Sequence, residues 1–134
     1  MELVISIITD RLSGVPGIAA VYLFGSAARG NLTPKSDIDV AVLFEEGSPR
    51  IDRLSLMADL SHGAGGDVDV VVLNEAEPRL YHEIVRTGEI LFEKNRKYRI
   101  LREVRNRKFY EDYRRLHSIY MRGMRAEYGQ QGHR

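Results

Sequence analysis

Apolar residues at positions 3, 4, 7, 8 and 12 recur at helical spacing, and Ser13-Gly14-Val15-Pro16-Gly17 halts the run. Ile18 to Phe24 is a short apolar stretch of strand length, and Ile38 to Phe44 and Val68 to Leu73 repeat that signature. Between the first two lies Gly25 to Gly30, rich in small residues, and then the polar loop Asn31 to Ser36. Ser48 followed by Pro49 reads as a helix start, with an apolar face through Ile51, Leu54, Met57 and Ala58 to His62, ended by Gly63-Ala64-Gly65-Gly66. Pro78 to Arg86 predicts another helix stopped by Gly88, and Glu89 to Glu93 a short edge strand. From Lys94 to Tyr128 there is no proline, and apolar residues at 98, 101, 104, 109, 113, 116, 120 and 124 keep one stripe, so one or two helices are expected. Helices alternating with buried strands predict an α/β fold: a small mixed sheet with flanking helices, followed by a C-terminal helical extension.

Length and composition sharpen this. The chain has 134 residues, room for one domain with an appended element, and its 43% hydrophobic content supports a core. The chain is expected to divide into a body at 1–93, a basic helical extension at 94–128 and a flexible tail at 129–134. With no cysteine, thiolate metal sites and thiol nucleophiles are excluded. No apolar run approaches a membrane span, the first residues lack a basic leader, and the cytoplasm is the expected location. The net charge of +1 conceals a division. Residues 1–93 hold 7 basic and 15 acidic side chains, a net of −8; residues 94–134 hold 13 and 4, a net of +9.

Candidate chemistry centres on Gly25-Ser26, then ten residues, then Asp37-Ile38-Asp39. Strand side chains alternate, so Asp37 and Asp39 share a face, and the apolar residues after them carry the strand into the core. Paired carboxylates at a core edge repel one another and lose hydration, which a divalent cation such as Mg²⁺ between them offsets. Asp67-Val68-Asp69 repeats the arrangement on the third strand, with Asp69 one step inside the apolar run, a candidate third ligand or general base. Three carboxylates on adjacent strands can hold two Mg²⁺ ions. Asp67, at the strand mouth, reads as a solvated loop acid. Gly25-Ser26 offers backbone N–H groups and a hydroxyl to a phosphate, with Arg29 placed to add a cation. Ser36 either contacts nucleotide or caps the turn. The four histidines show no metal spacing and read as structural or surface residues.

Gly25-Ser26-Ala27-Ala28-Arg29-Gly30, followed by Ser36-Asp37-Ile38-Asp39-Val40-Ala41-Val42, resembles the signature of the DNA polymerase β-type nucleotidyltransferase superfamily. The small size and Arg29-Gly30 resemble its minimal nucleotidyltransferase (MNT) branch. Val68 to Asn74 and Gly88-Glu89-Ile90-Leu91-Phe92-Glu93 resemble that branch's third-carboxylate strand and its sequel, so the likeness covers roughly residues 18–95. The resemblance implies Asp37, Asp39 and Asp69 as metal ligands, with Asp69 also activating the acceptor hydroxyl. It implies Gly25 and Ser26 on the triphosphate of ATP, and attack on the α-phosphate with release of pyrophosphate.

Many proteins of this branch are antitoxins of HEPN/MNT toxin–antitoxin pairs, transferring AMP to a tyrosine of a HEPN-domain ribonuclease. The expected function is therefore an AMP-transferring antitoxin in a hetero-oligomer with its toxin. Two alternatives stay open: nucleotidyl transfer to a small molecule or an RNA end, and a non-catalytic antitoxin that neutralises its partner by binding. The basic extension has three readings: a solvated helix on the acidic body, a partner-docking helix, and a nucleic-acid binder. Partner docking is favoured over nucleic acid, because the tyrosines follow core spacing and most are expected to be buried.

Overall fold

The computed structural model describes residues 2–26, 28, 37–49 and 51–132. Helix α1 (Glu2–Ser13) precedes strands β1 (Ile18–Phe24) and β2 (Ile38–Phe44). Helix α2 (Arg53–Ala64), strand β3 (Val68–Val72), a single 3₁₀ turn (Leu73–Glu75), helix α3 (Pro78–Thr87), strand β4 (Glu89–Glu93) and helix α4 (Arg96–Gly132) follow. The sheet order is β3-β2-β1-β4. β1 runs antiparallel to both β2 and β4, while β2 and β3 are parallel and joined across α2. This is the mixed sheet with flanking helices expected from the pattern, with β4 on one edge and β3 on the other.

Both faces of the sheet are covered, which is why its central strands read as unbroken apolar runs. Val21 and Leu23 of β1, Val40 and Val42 of β2 and Val70 of β3 pack with Ile8 and Leu12 of α1 and Leu56 and Leu60 of α2. Ala20 and Tyr22 of β1 and Ala41 and Leu43 of β2 pack on the opposite face with Leu73 and with Tyr81 and Ile84 of α3. By the two-residue period, Asp39 shares the face of Ala41 and Leu43, the α3 side. Gly88 follows α3 with φ −87°, so it is not a left-handed stop. Its glycine character serves close approach: a Cβ there would lie 2.6 Å from the Ile84 carbonyl oxygen and 2.7 Å from that of Leu23.

The start of α2 differs from the expected one. The Ser48 hydroxyl is spent on the preceding turn, donating to the Glu45 carbonyl at 2.6 Å and the Gly17 carbonyl at 3.3 Å. The cap passes to Asp52, whose carboxylate accepts from Leu54 N–H at 3.4 Å and from the Ser55 hydroxyl at 2.9 Å. The far end of β2 is pinned by Asn74, whose amide both accepts from and donates to the backbone of Phe44 at 2.9 and 2.8 Å.

Helix α4 is one continuous element of 37 residues, about 55 Å long. Its first turns are clamped to the body. Buried Arg99 binds Glu93 of β4 and donates to Glu103 at 2.7 Å, and the Tyr22 hydroxyl of β1 donates to the same Glu103 oxygen at 2.5 Å. Burial above all, with the Glu103 contact second, pushes the Tyr22 phenol well above its ordinary range. Asn106 donates to the Pro78 carbonyl at 3.0 Å, and Tyr110 stacks on His82. From Tyr113 to Tyr120 every residue is exposed. The expectation that most tyrosines are buried therefore fails for Tyr113 and Tyr120, which are 53% and 63% exposed, and the stripe is uncovered earlier along α4 as well, at Leu101, Val104 and Phe109. No helix among the described residues is long and apolar enough to cross a membrane.

Candidate active site

The site forms where β1 ends against β2. Phe24 stands opposite Asp39 in the antiparallel register, and Gly25 turns the chain immediately afterwards with φ +71°. An L residue strains in that conformation, and a Cβ on Gly25 would lie 2.3 Å from Asp39 Oδ2. Glycine thus lets the backbone lie directly against a carboxylate oxygen. Half-buried Ser26 follows in the same turn. Arg29 and Ser36 lie outside the described residues.

The parallel pairing of β2 and β3 supplies the next component. Ile38 pairs with Val68 and Asp39 with Asp69, so two acids occupy the same rung on neighbouring strands. Adjacent strands lie about 4.8 Å apart. Asp37 sits exposed just before β2, where the alternation sets it on the face of Asp39. Asp67 lends its carbonyl to the Ile38 N–H at 3.2 Å, and its side chain is exposed. Burial raises the Asp39 pKa above its ordinary value, and the charges of Asp69 and then Asp37 raise it further. The site therefore stores like-charge repulsion around a half-buried carboxylate.

That chemistry fits a hard divalent cation, because the donors are carboxylate oxygens and positive charge relieves their repulsion. Among the described residues, however, no three carboxylate or imidazole side chains converge into a ready metal cage. Asp69 is instead turned to Arg53 of α2, whose Nη2 lies 3.3 Å from Asp69 Oδ1. Arg53 was not among the residues picked out from the sequence. Its position depends on α2 starting at Asp52, which the Ser48-Pro49 pattern concealed.

The histidines stand apart from the site residues. His62 is exposed, His82 stacks on Tyr110, His117 is exposed beside Tyr113, and His133 lies outside the described residues. A second surface lies on distal α4. Tyr113, Leu116, Ile119 and Tyr120 are exposed in a segment that also carries Arg114, Arg115 and Arg122.

Comparison with known proteins agrees with this geometry. The family described as "Polymerase beta, Nucleotidyltransferase" matches residues 7–97. The protein adenylyltransferase MntA of Shewanella oneidensis is 36% identical over 78 residues, covering 58% of this chain and 56% of the relative. The aligned region thus spans little more than half of that relative. Among solved structures, a chain of a toxin–antitoxin crystal structure with AMP-PNP superposes with a TM-score of 0.74 at 27% identity, covering 92% of this chain and 96% of that one. A chain from the complex of tri-AMPylated Shewanella oneidensis HEPN toxin with MNT antitoxin gives a TM-score of 0.73 at 25% identity, covering 92% and 97%. The chain belongs to the polymerase beta nucleotidyltransferase family.

Proposed function

We propose that this protein is a Mg²⁺-dependent adenylyltransferase antitoxin, moving AMP from ATP to a tyrosine hydroxyl of a partner HEPN-domain toxin in the cytoplasm. The carrying observation is the rung that sets Asp39 beside Asp69, with Gly25 lying against Asp39. The relatives add the partner class. One is named a protein adenylyltransferase, and the structural neighbours come from toxin–antitoxin complexes, one with an AMPylated toxin and one with an ATP analogue.

Asp37, Asp39 and Asp69 would hold up to two Mg²⁺ ions, which supply charge neutralisation at the phosphates. The Gly25-Ser26 turn presents its backbone N–H groups and the Ser26 hydroxyl to the triphosphate, with Arg29 and Ser36, further along the sequence, as additional nucleotide contacts. The tyrosine oxygen then attacks the α-phosphorus. The bond from that phosphorus to the bridging oxygen of the β-phosphate breaks, and its electron pair departs with pyrophosphate. The phenolic proton passes to the Asp69 carboxylate. The body at 1–93 performs this transfer, and the exposed stripe of α4, within the extension at 94–128, docks the toxin. Its basic residues suit an acidic partner surface.

The test is incubation with α-labelled ATP and Mg²⁺, with and without the protein encoded beside this one. Label should appear on the partner and vanish with Asp39→Ala. Binding that silences the partner without labelling it, and that survives Asp39→Ala, would replace transfer with neutralisation by binding. Label on a small molecule or RNA end instead would reassign the acceptor.

A further inference from the structure

Strand β3 is an edge of the sheet, so half of its backbone groups face away from β2. Two side chains of α2 satisfy two of them: the Ser61 hydroxyl accepts from Val68 N–H at 2.9 Å, and Arg53 Nε donates to the Val70 carbonyl at 2.5 Å. Arg53 is therefore anchored to the backbone by one edge of its guanidinium. Its Nη2 reaches around the strand edge to Asp69, which the two-residue period places on the other face. The ion pair is about half exposed at both ends. A guanidinium so anchored puts a fixed positive charge on the one carboxylate that must be shared if Asp39 and Asp69 are to hold a cation together.

We propose that Arg53 is a positioning residue that gates the third carboxylate. It holds Asp69 in an ion pair, so that a divalent cation must displace the guanidinium to gain Asp69 as a ligand. This rests on the reading of Asp37, Asp39 and Asp69 as the cation site. Loading then occurs in two stages, first on Asp37 and Asp39, then on Asp69 as Arg53 lets go. The released guanidinium stays tethered at Val70, at the rim of the site, where an incoming anionic group can take it up.

The experiment measures Mn²⁺ binding to the full-length protein by electron paramagnetic resonance, without nucleotide or partner. Arg53→Gln should bind Mn²⁺ about two- to fivefold more tightly, since a competing charge of surface ion-pair strength is removed. Arg53→Lys, which keeps the charge but cannot make both contacts, should fall between the two. In an Asp69→Asn background the effect of Arg53→Gln should disappear. Unchanged or weaker binding in Arg53→Gln overturns the gate. So does an effect that persists with Asp69→Asn, since that is only a general charge effect. Asp39→Asn separates the two layers: if it leaves Mn²⁺ binding intact, the cation-site reading fails and the gate with it. Circular dichroism checks folding, and Arg53→Lys carries the comparison if Arg53→Gln does not fold.

Discussion

At the scale of single residues, Gly25 and Asp39 are one unit. Gly25→Ala adds a methyl group where the Asp39 carboxylate already lies, in a backbone conformation that costs an L residue about 1–2 kcal/mol. The domain should still fold, because the turn lies outside the core. Nucleotidyl transfer should fall about a hundredfold, as expected for a site displaced by about an ångström. Full activity would show that the close approach is dispensable. Asp39 also gives a pH signature. Its folded-state pKa lies above the ordinary 3.8, so its ionisation costs stability at neutral pH, and that cost fades as pH falls through the raised value. Asp39→Asn should therefore raise the melting temperature of the metal-free protein near pH 7 and leave it unchanged near pH 3. A lower melting temperature at pH 7 would contradict this. The expectation for Asp37, Asp39 and Asp69 could be formed from the sequence because two adjacent strands carry acids just where their apolar runs begin. The contacts of Arg53 could not, because they depend on where α2 begins and on β3 being an edge.

Among the elements, the strands were the most legible, since a sheet covered on both faces demands continuous apolar runs of strand length. Helix boundaries were less so. Ser48 and Asp52 are both good caps, and only the turn against Gly17 decides which hydroxyl or carboxylate is available. The stripe on α4 was visible but misread, because helical spacing gives the direction of an apolar face and not whether anything covers it. What holds α4 in place is the group formed by buried Arg99 and Tyr22 with the half-buried Glu93 and Glu103. Only its Arg99–Glu103 pair has a sequence signature, the i,i+4 spacing. Arg99→Ala leaves Glu103 without its cation and Glu93 with only the exposed Arg96 at 3.8 Å, and should cost about 3 kcal/mol, measured as a lower urea midpoint. A loss below about 1 kcal/mol would mean that the apolar packing of Tyr98 and its neighbours alone seats the helix.

Over the whole molecule, the opposition of −8 and +9 maps onto two surfaces: an acidic body that holds the carboxylate site, and a basic helix that outruns it. Among the described residues, those exposed on distal α4 make no hydrogen bond, ion pair or ring stack with the body, so replacing them should leave folding intact. The pair Tyr113→Ala and Leu116→Glu should shift the melting temperature by no more than about one degree. Affinity for the toxin, measured by calorimetry, should fall about thirtyfold or more, the scale of an interface hot spot. Retained affinity would move the docking surface elsewhere. The clamp at the base of α4 has a mechanical consequence. Tyr22, held through Glu103, lies three residues before Gly25 on the same strand, so the helix is a cantilever rooted in the strand that carries the site. Some 20 residues project beyond Asp112, an arm of about 30 Å. A tilt of about 5° where the arm leaves the body displaces its tip by about 2.6 Å, comparable with the 3–3.5 Å approach that reacting atoms require. On the proposed transfer, the stiffness of α4 where it leaves the body would set the aiming tolerance for the hydroxyl a docked partner presents.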